Sequence, residues 1–85
     1  MSPKFSIIVP NYNSERTIKT CLDSLSKLDY SNYEVIVVDD NSTDRSMDII
    51  KKYPVRLIQQ KQRVGAAETR NIGVRASSGD IIMFH

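Results

Sequence analysis

Four short apolar runs, "FSIIVP", "EVIVV", "VRLIQQ" and "DIIMFH", are separated by three stretches with helical spacing. This alternation constrains the fold more than any other feature of the chain. The first two runs are continuous in apolar residues rather than alternating, the pattern of strands covered on both faces. Pro10 cannot donate to a sheet ladder, so the first strand ends near it. Asn13 or Ser14 then caps a helix, with Glu15 in its first turn, and Ile18, Cys21, Leu22, Leu25 and Leu28 share one helical face. Val35 to Val38 form the second strand. Asn41, Ser42 and Thr43 are cap candidates for a second helix through about Lys52, with Met47, Ile50 and Tyr53 facing inward and Pro54 stopping it. After the third strand, residues 55–60, "KQRVG" is a loop and Gly65 leads into a helix rich in small residues. Gly73 inside that helix costs about 1 kcal/mol against Ala, and close packing on the sheet accounts for its presence. The order β-α-β-α-β-α-β with short connections predicts an α/β fold: a three-layer α/β/α domain around a parallel four-stranded sheet, with right-handed crossovers.

At 85 residues the chain is a single domain, 1–85, whose folding buries roughly 60% of the surface the unfolded chain exposes. Twelve basic and ten acidic residues leave a net charge of +2, and the longest basic run is Lys51-Lys52. That is no footprint for nucleic acid. No apolar segment approaches the ~20 residues of a membrane span. The lone Cys21 cannot form an internal disulfide, and "FSIIVP" is too short for a secretory leader, so a cytoplasmic protein in a reducing compartment is expected.

Open α/β sheets bind ligands outside the carboxyl ends of their strands, where the strand order reverses. Residues 10–13, the Asp39-Asp40 pair and the end of the fourth strand all fall on that edge. A lone Asp there is explained by turn formation. The pair is not, because Ser42 and Thr43 already supply caps. Neighbours on an extended chain point to opposite faces, so a single metal ion rarely takes both carboxylates. One is expected to support the loop and the other to face the crevice.

The segments "SIIVPNYNSERTIKTCLDSL", "YEVIVVDDNSTDRS" and "GAAETRNIGVRASSGDIIMF" resemble, in order and spacing, the successive N-terminal motifs of family-two glycosyltransferases of the GT-A fold. The resemblance covers residues 5–84. It implies a Rossmann-like half-domain that binds a nucleotide-diphosphate sugar, UDP-sugars favoured, for transfer of the sugar to an acceptor. Carried over position by position, it makes Asp40 the acid that accepts a hydrogen bond from the base, with Asp39 beside it. A carboxylate can accept the N3–H of uracil or the N1–H of guanine, whereas cytosine and adenine present only an acceptor there. Tyr12 takes the place beside the base, and Pro10 shapes the backbone under the nucleotide. Glu15 matches a recurrent acid at the start of the first helix, and Arg70 a basic residue near the diphosphate. General physics offers a second account of several of these: loop packing for Tyr12, strand termination for Pro10, dipole compensation for Glu15, a solvated helix surface for Arg70. Lys61 and Arg63 add positive potential.

The resemblance also implies a divalent ion, Mn or Mg, held by an Asp-x-Asp motif after the fourth strand. "GDIIMFH" is that strand, and His85 stands where the acids should begin. The metal motif and the catalytic base are therefore expected to be absent from this chain, leaving nucleotide recognition without transfer. An unpaired apolar edge at residues 80–84 invites pairing with a second copy. The alternative function is a non-catalytic binding or interaction module on the same fold. A response-regulator receiver gathers its acid pair after the first strand, which ends here in "PNYN". A dinucleotide-binding fold needs a G-x-G-x-x-G that this chain lacks.

Overall fold

A computed structural model of the chain describes residues 3–85. The element order is β1 (Phe5–Asn11), α1 (Ile18–Ser26), β2 (Tyr33–Asp39), α2 (Ser46–Ile50), β3 (Arg56–Gln59), α3 (Ala66–Ala76) and β4 (Ile81–Phe84). The strands form one sheet in the order β3-β2-β1-β4, and every pairing is parallel. Strand order therefore reverses between β1 and β4. The expected three-layer α/β/α arrangement is what forms.

The continuous apolar runs sort by the two-residue period of a strand. Ile7, Val9 and Val37 pack with Ile18, Leu22 and Leu25 of α1 and Ile50 of α2 on one face. Ile8, Ile36 and Val38 pack with Ile72 and Ala76 of α3 on the other. Both faces of the central strands are covered, so their middles are apolar and the buried polar residues Ser6, Asn11 and Asp39 lie towards the strand ends, each with a hydrogen-bond partner. Close packing accounts for Gly73: a Cβ there would lie 2.4 Å from Ile8 Cγ2 and 3.3 Å from Val38 Cγ2. The missing side chain lets α3 lie directly on β1 and β2.

The helix starts differ from the sequence reading. α1 begins at Ile18, and Glu15 lies in the turn before it rather than in its first turn. No side chain caps α1; the Ser14 carbonyl accepts from the Thr17 and Ile18 N–H groups at 3.0 and 2.8 Å. Leu28 lies beyond the helix and is exposed. α2 is only five residues long, and its first N–H, from Ser46, donates to Asp44 Oδ1 at 2.9 Å. Asn41, Ser42 and Thr43 do not cap it. Ser42 and Thr43 are engaged with the end of β1 and the loop after it, a tertiary demand that local cap preference does not register.

Candidate functional site

β1 and β2 end side by side, with Asn11 opposite Asp39 in the register. The two loops that leave them are fastened together by small polar side chains. Asp39 Oδ1 accepts from Asn11 Nδ2 at 2.8 Å and from Ser42 Oγ at 2.6 Å, while its Oδ2 accepts the Ser42 N–H at 3.0 Å. Asn11 Nδ2 also reaches Ser46 Oγ at 3.0 Å. Asn13, held at φ 48°, accepts the Thr43 and Asp44 N–H groups on its Oδ1 at 2.7 and 3.3 Å. Asp44 Oδ2 in return accepts the Glu15 N–H at 3.0 Å. Asx residues suit this work because a short polar side chain can mimic a backbone turn and tolerates positive φ. The result is a rigid floor at the carboxyl edge of the sheet.

Asp40 turns the other way. Its Oδ1 accepts the Val64 N–H at 2.7 Å, and its Oδ2 accepts the Gly65 N–H and Arg63 Nε, both at 3.1 Å. Gly65 stands at the N-cap of α3 with φ 90°, a conformation open to glycine without strain. The residue is 3% exposed. Burial alone would raise its pKa; the Val64 N–H, the Arg63 guanidinium and the Gly65 N–H together outweigh it and hold the carboxyl below its usual range. It is therefore an ionised acceptor near neutral pH. The Arg63 guanidinium also lies over the Tyr12 ring, its central carbon 3.6 Å from the ring centroid.

These groups border a cleft of about 170 Å³. Pro10, Asn11 and Tyr12 line it from the end of β1, Asp40 from the end of β2, and Arg63, Ala66 and Thr69 from the β3–α3 side. The sequence-derived candidates thus divide. Pro10, Tyr12 and Asp40 meet at the cleft. Asp39 is fully buried behind it, with its carboxylate committed to loop donors. Glu15 and Arg70 are exposed, and their side chains make no ion pair or hydrogen bond among the described residues. Arg63 and Asn11 were not among the site candidates. Only a stacking or pairing partner distinguishes an Arg in a loop from a solvated one, and that partner arrives from another strand.

A larger hollow of about 420 Å³ lies beside β4 and is lined by Phe5, Leu28, Tyr30, Met83 and Phe84, among others. Its surface is almost wholly apolar, so it offers little to orient a polar ligand. His85 borders it and places Nδ1 3.3 Å from Cys21 Sγ. Burial pushes the Cys21 thiol up, away from thiolate reactivity. Among the described residues no three His, Cys, Asp or Glu side chains converge to hold a metal. The residues here do not fit a divalent-ion site, and no chemistry is routed through one.

The α/β fold with its parallel sheet is that of the GT-A glycosyltransferases, the class to which its structural neighbours belong. The chain belongs to glycosyl transferase family 2, whose pattern matches residues 6–85. It is 44% identical over 80 residues to an uncharacterized glycosyltransferase of Haemophilus influenzae, covering 93% of this chain and 27% of that protein. The crystal structure of Staphylococcus aureus TarS 1–349 in complex with UDP superposes with a TM-score of 0.91 at 38% identity, over 96% of this chain and 26% of that one. The mannosyltransferase PcManGT of Pyrobaculum calidifontis, in complex with GDP-Man and Mn²⁺, gives 0.90 at 31% identity over the same shares. The chain thus spans about a quarter of the length of these relatives. No helix among the described residues is long and apolar enough to cross a membrane.

Proposed function

We propose that this chain recognises the nucleoside diphosphate of a sugar nucleotide, as the nucleotide-binding part of a glycosyltransferase. The observation that carries the reading is the Asp40 carboxylate, ionised and anchored by two backbone N–H groups at the mouth of a cleft whose wall is Tyr12. One lone pair of Oδ1 is free of protein donors, and Oδ2 is shared with the half-exposed Arg63 side chain. A uracil N3–H or a guanine N1–H satisfies such an acceptor, and the base plane rests on Tyr12. Neighbours solved with UDP and with GDP-Man carry the two bases that own this donor. Pro10 shapes the cleft floor. Asp39 acts through the loop it braces. Arg70, exposed on α3, serves the diphosphate, and Glu15 borders the nucleotide from the turn before α1. Transfer to an acceptor draws on groups other than the ones described, since these offer no donor cluster for a divalent ion. We assign the exposed β4 edge to pairing with a second copy.

Calorimetric titration with UDP, GDP, CDP and ADP, with and without Mn²⁺, tests the reading. UDP or GDP should bind in preference to CDP and ADP. A hydrogen bond to a charged acceptor contributes about 1.5–3 kcal/mol, so Asp40→Ala should weaken the preferred nucleotide at least tenfold. Equal binding of UDP and CDP, or an unchanged affinity in the variant, would refute it.

A further inference from the structure

We infer that Arg63 occupies the nucleobase position in the free protein and that a base enters by exchanging with it. The inference rests on the nucleotide reading above and adds to it an internal competitor. Two contacts define where a base sits: a flat face against Tyr12 and an N–H donated to Asp40. Arg63 makes both. Its guanidinium carbon lies 3.6 Å from the Tyr12 centroid, and its Nε donates to Asp40 Oδ2 at 3.1 Å. A guanidinium is planar and delocalised, and stacks on an aromatic face as a base does. At 3.6 Å the two groups are in van der Waals contact, so no third layer fits between them. Tyr12 holds Arg63 or a base on that face, not both.

The surroundings are arranged for exchange. Asp40 does not depend on Arg63 for its position, because the Val64 and Gly65 N–H groups hold each of its oxygens. The Arg63 side chain is 52% exposed against 4% for Asp40, so it swings into solvent and leaves no buried void. Its departure frees an acceptor on Oδ2 and the face of Tyr12 together. A base with an imino N–H regains both contacts. Cytosine and adenine displace the guanidinium without replacing its hydrogen bond, leaving Oδ2 with the Gly65 N–H alone, which sharpens selectivity for uridine and guanosine. An exposed cation–π contact and an exposed ion pair are each worth a factor of about two to five, which sets the size of the competition.

Uridine is the discriminating probe, since it carries no phosphate for a freed guanidinium to attract. NMR titration of the full chain should show Arg63→Ala binding uridine about four- to twenty-five-fold more tightly than the parent. Arg63→Lys, which keeps the charge but loses the planar stack, should fall between them. In the parent, the upfield ring-current shift that Tyr12 imposes on the Arg63 Cδ protons should disappear as uridine saturates. Weaker or unchanged uridine binding in Arg63→Ala, with binding still abolished by Asp40→Ala, overturns the exchange and leaves the nucleotide reading standing. Absence of uridine binding in every variant overturns both. Should Arg63→Ala fail to fold, the Lys variant and the ring-current shift decide.

Discussion

Asp39 and Asp40 are adjacent in the chain and identical in chemistry, yet one braces a loop from inside the protein and the other faces a cleft. The alternation of an extended backbone separates them, and each finds its own set of donors. Gly73 shows the same residue-level economy from the packing side. Alanine there would favour the helix by about 1 kcal/mol, but its Cβ would fall 2.4 Å from a branched methyl of the fully buried Ile8. Overpacking of this kind costs roughly 1–3 kcal/mol and outweighs the helical gain. Gly73→Ala is therefore expected to lower stability by up to about 2 kcal/mol in urea denaturation. A stabilised variant would show that α3 is free to shift off the sheet.

Among the elements, Glu34 ties together three segments at the amino-terminal end of the sheet. Glu34 at the start of β2 accepts the Ser6 hydroxyl of β1 at 2.5 Å and the Ser78 N–H and hydroxyl, from the turn before β4, at 2.7 and 3.0 Å. The Ser6 hydroxyl first, and then the Ser78 N–H, pull its pKa down from 4.5 to about 2. A depressed folded-state pKa means the contribution is complete above about pH 4.5 and drains away as pH falls toward 2. Glu34→Gln should therefore narrow its stability gap to the parent as the pH drops through that window, read from unfolding midpoints at stepped pH. A constant gap down to pH 2 would remove the clamp's electrostatic role. At the opposite end, capping was redistributed: Asn13 serves the β2–α2 loop and Asp44 caps α2, because each loop finds its donors and acceptors in the other.

On the scale of the whole molecule the two sheet edges are unlike. β3 is guarded by exposed Arg56 and Gln59, whereas β4 presents Ile81, Met83 and Phe84 with 41–52% of their surface in solvent. Apolar edges pair with other chains unless charge or cover prevents it. Sedimentation at rising concentration should show reversible self-association that Met83→Lys suppresses. A monomer throughout the range would refute the self-association. The same global view explains where the cleft lies. Three consecutive strands step one way across the sheet and β4 returns to the other side of β1, which leaves the loops after β1 and β2 unobstructed at the carboxyl edge.

Much of this was legible in the residues themselves. Continuous apolar runs in "SIIV" and "VIVV", helical spacing between them and Gly73 in a helix are local signals, and they dictated a doubly covered parallel sheet with acids at its working edge. Motif order singled out Pro10, Tyr12 and Asp40, and the three line one cleft. What no local pattern contained was the choice between the two acids, the burial of Asn11, the true caps of α1 and α2, and the stacking of Arg63 on Tyr12. The roles of the two acids, the setting of Asn11 and the stacking of Arg63 depend on groups 23 to 51 residues apart that meet only after the sheet has assembled. Periodicity along the chain reports which face a side chain takes, while hydrogen-bond geometry between loops is set by the distance across the finished fold.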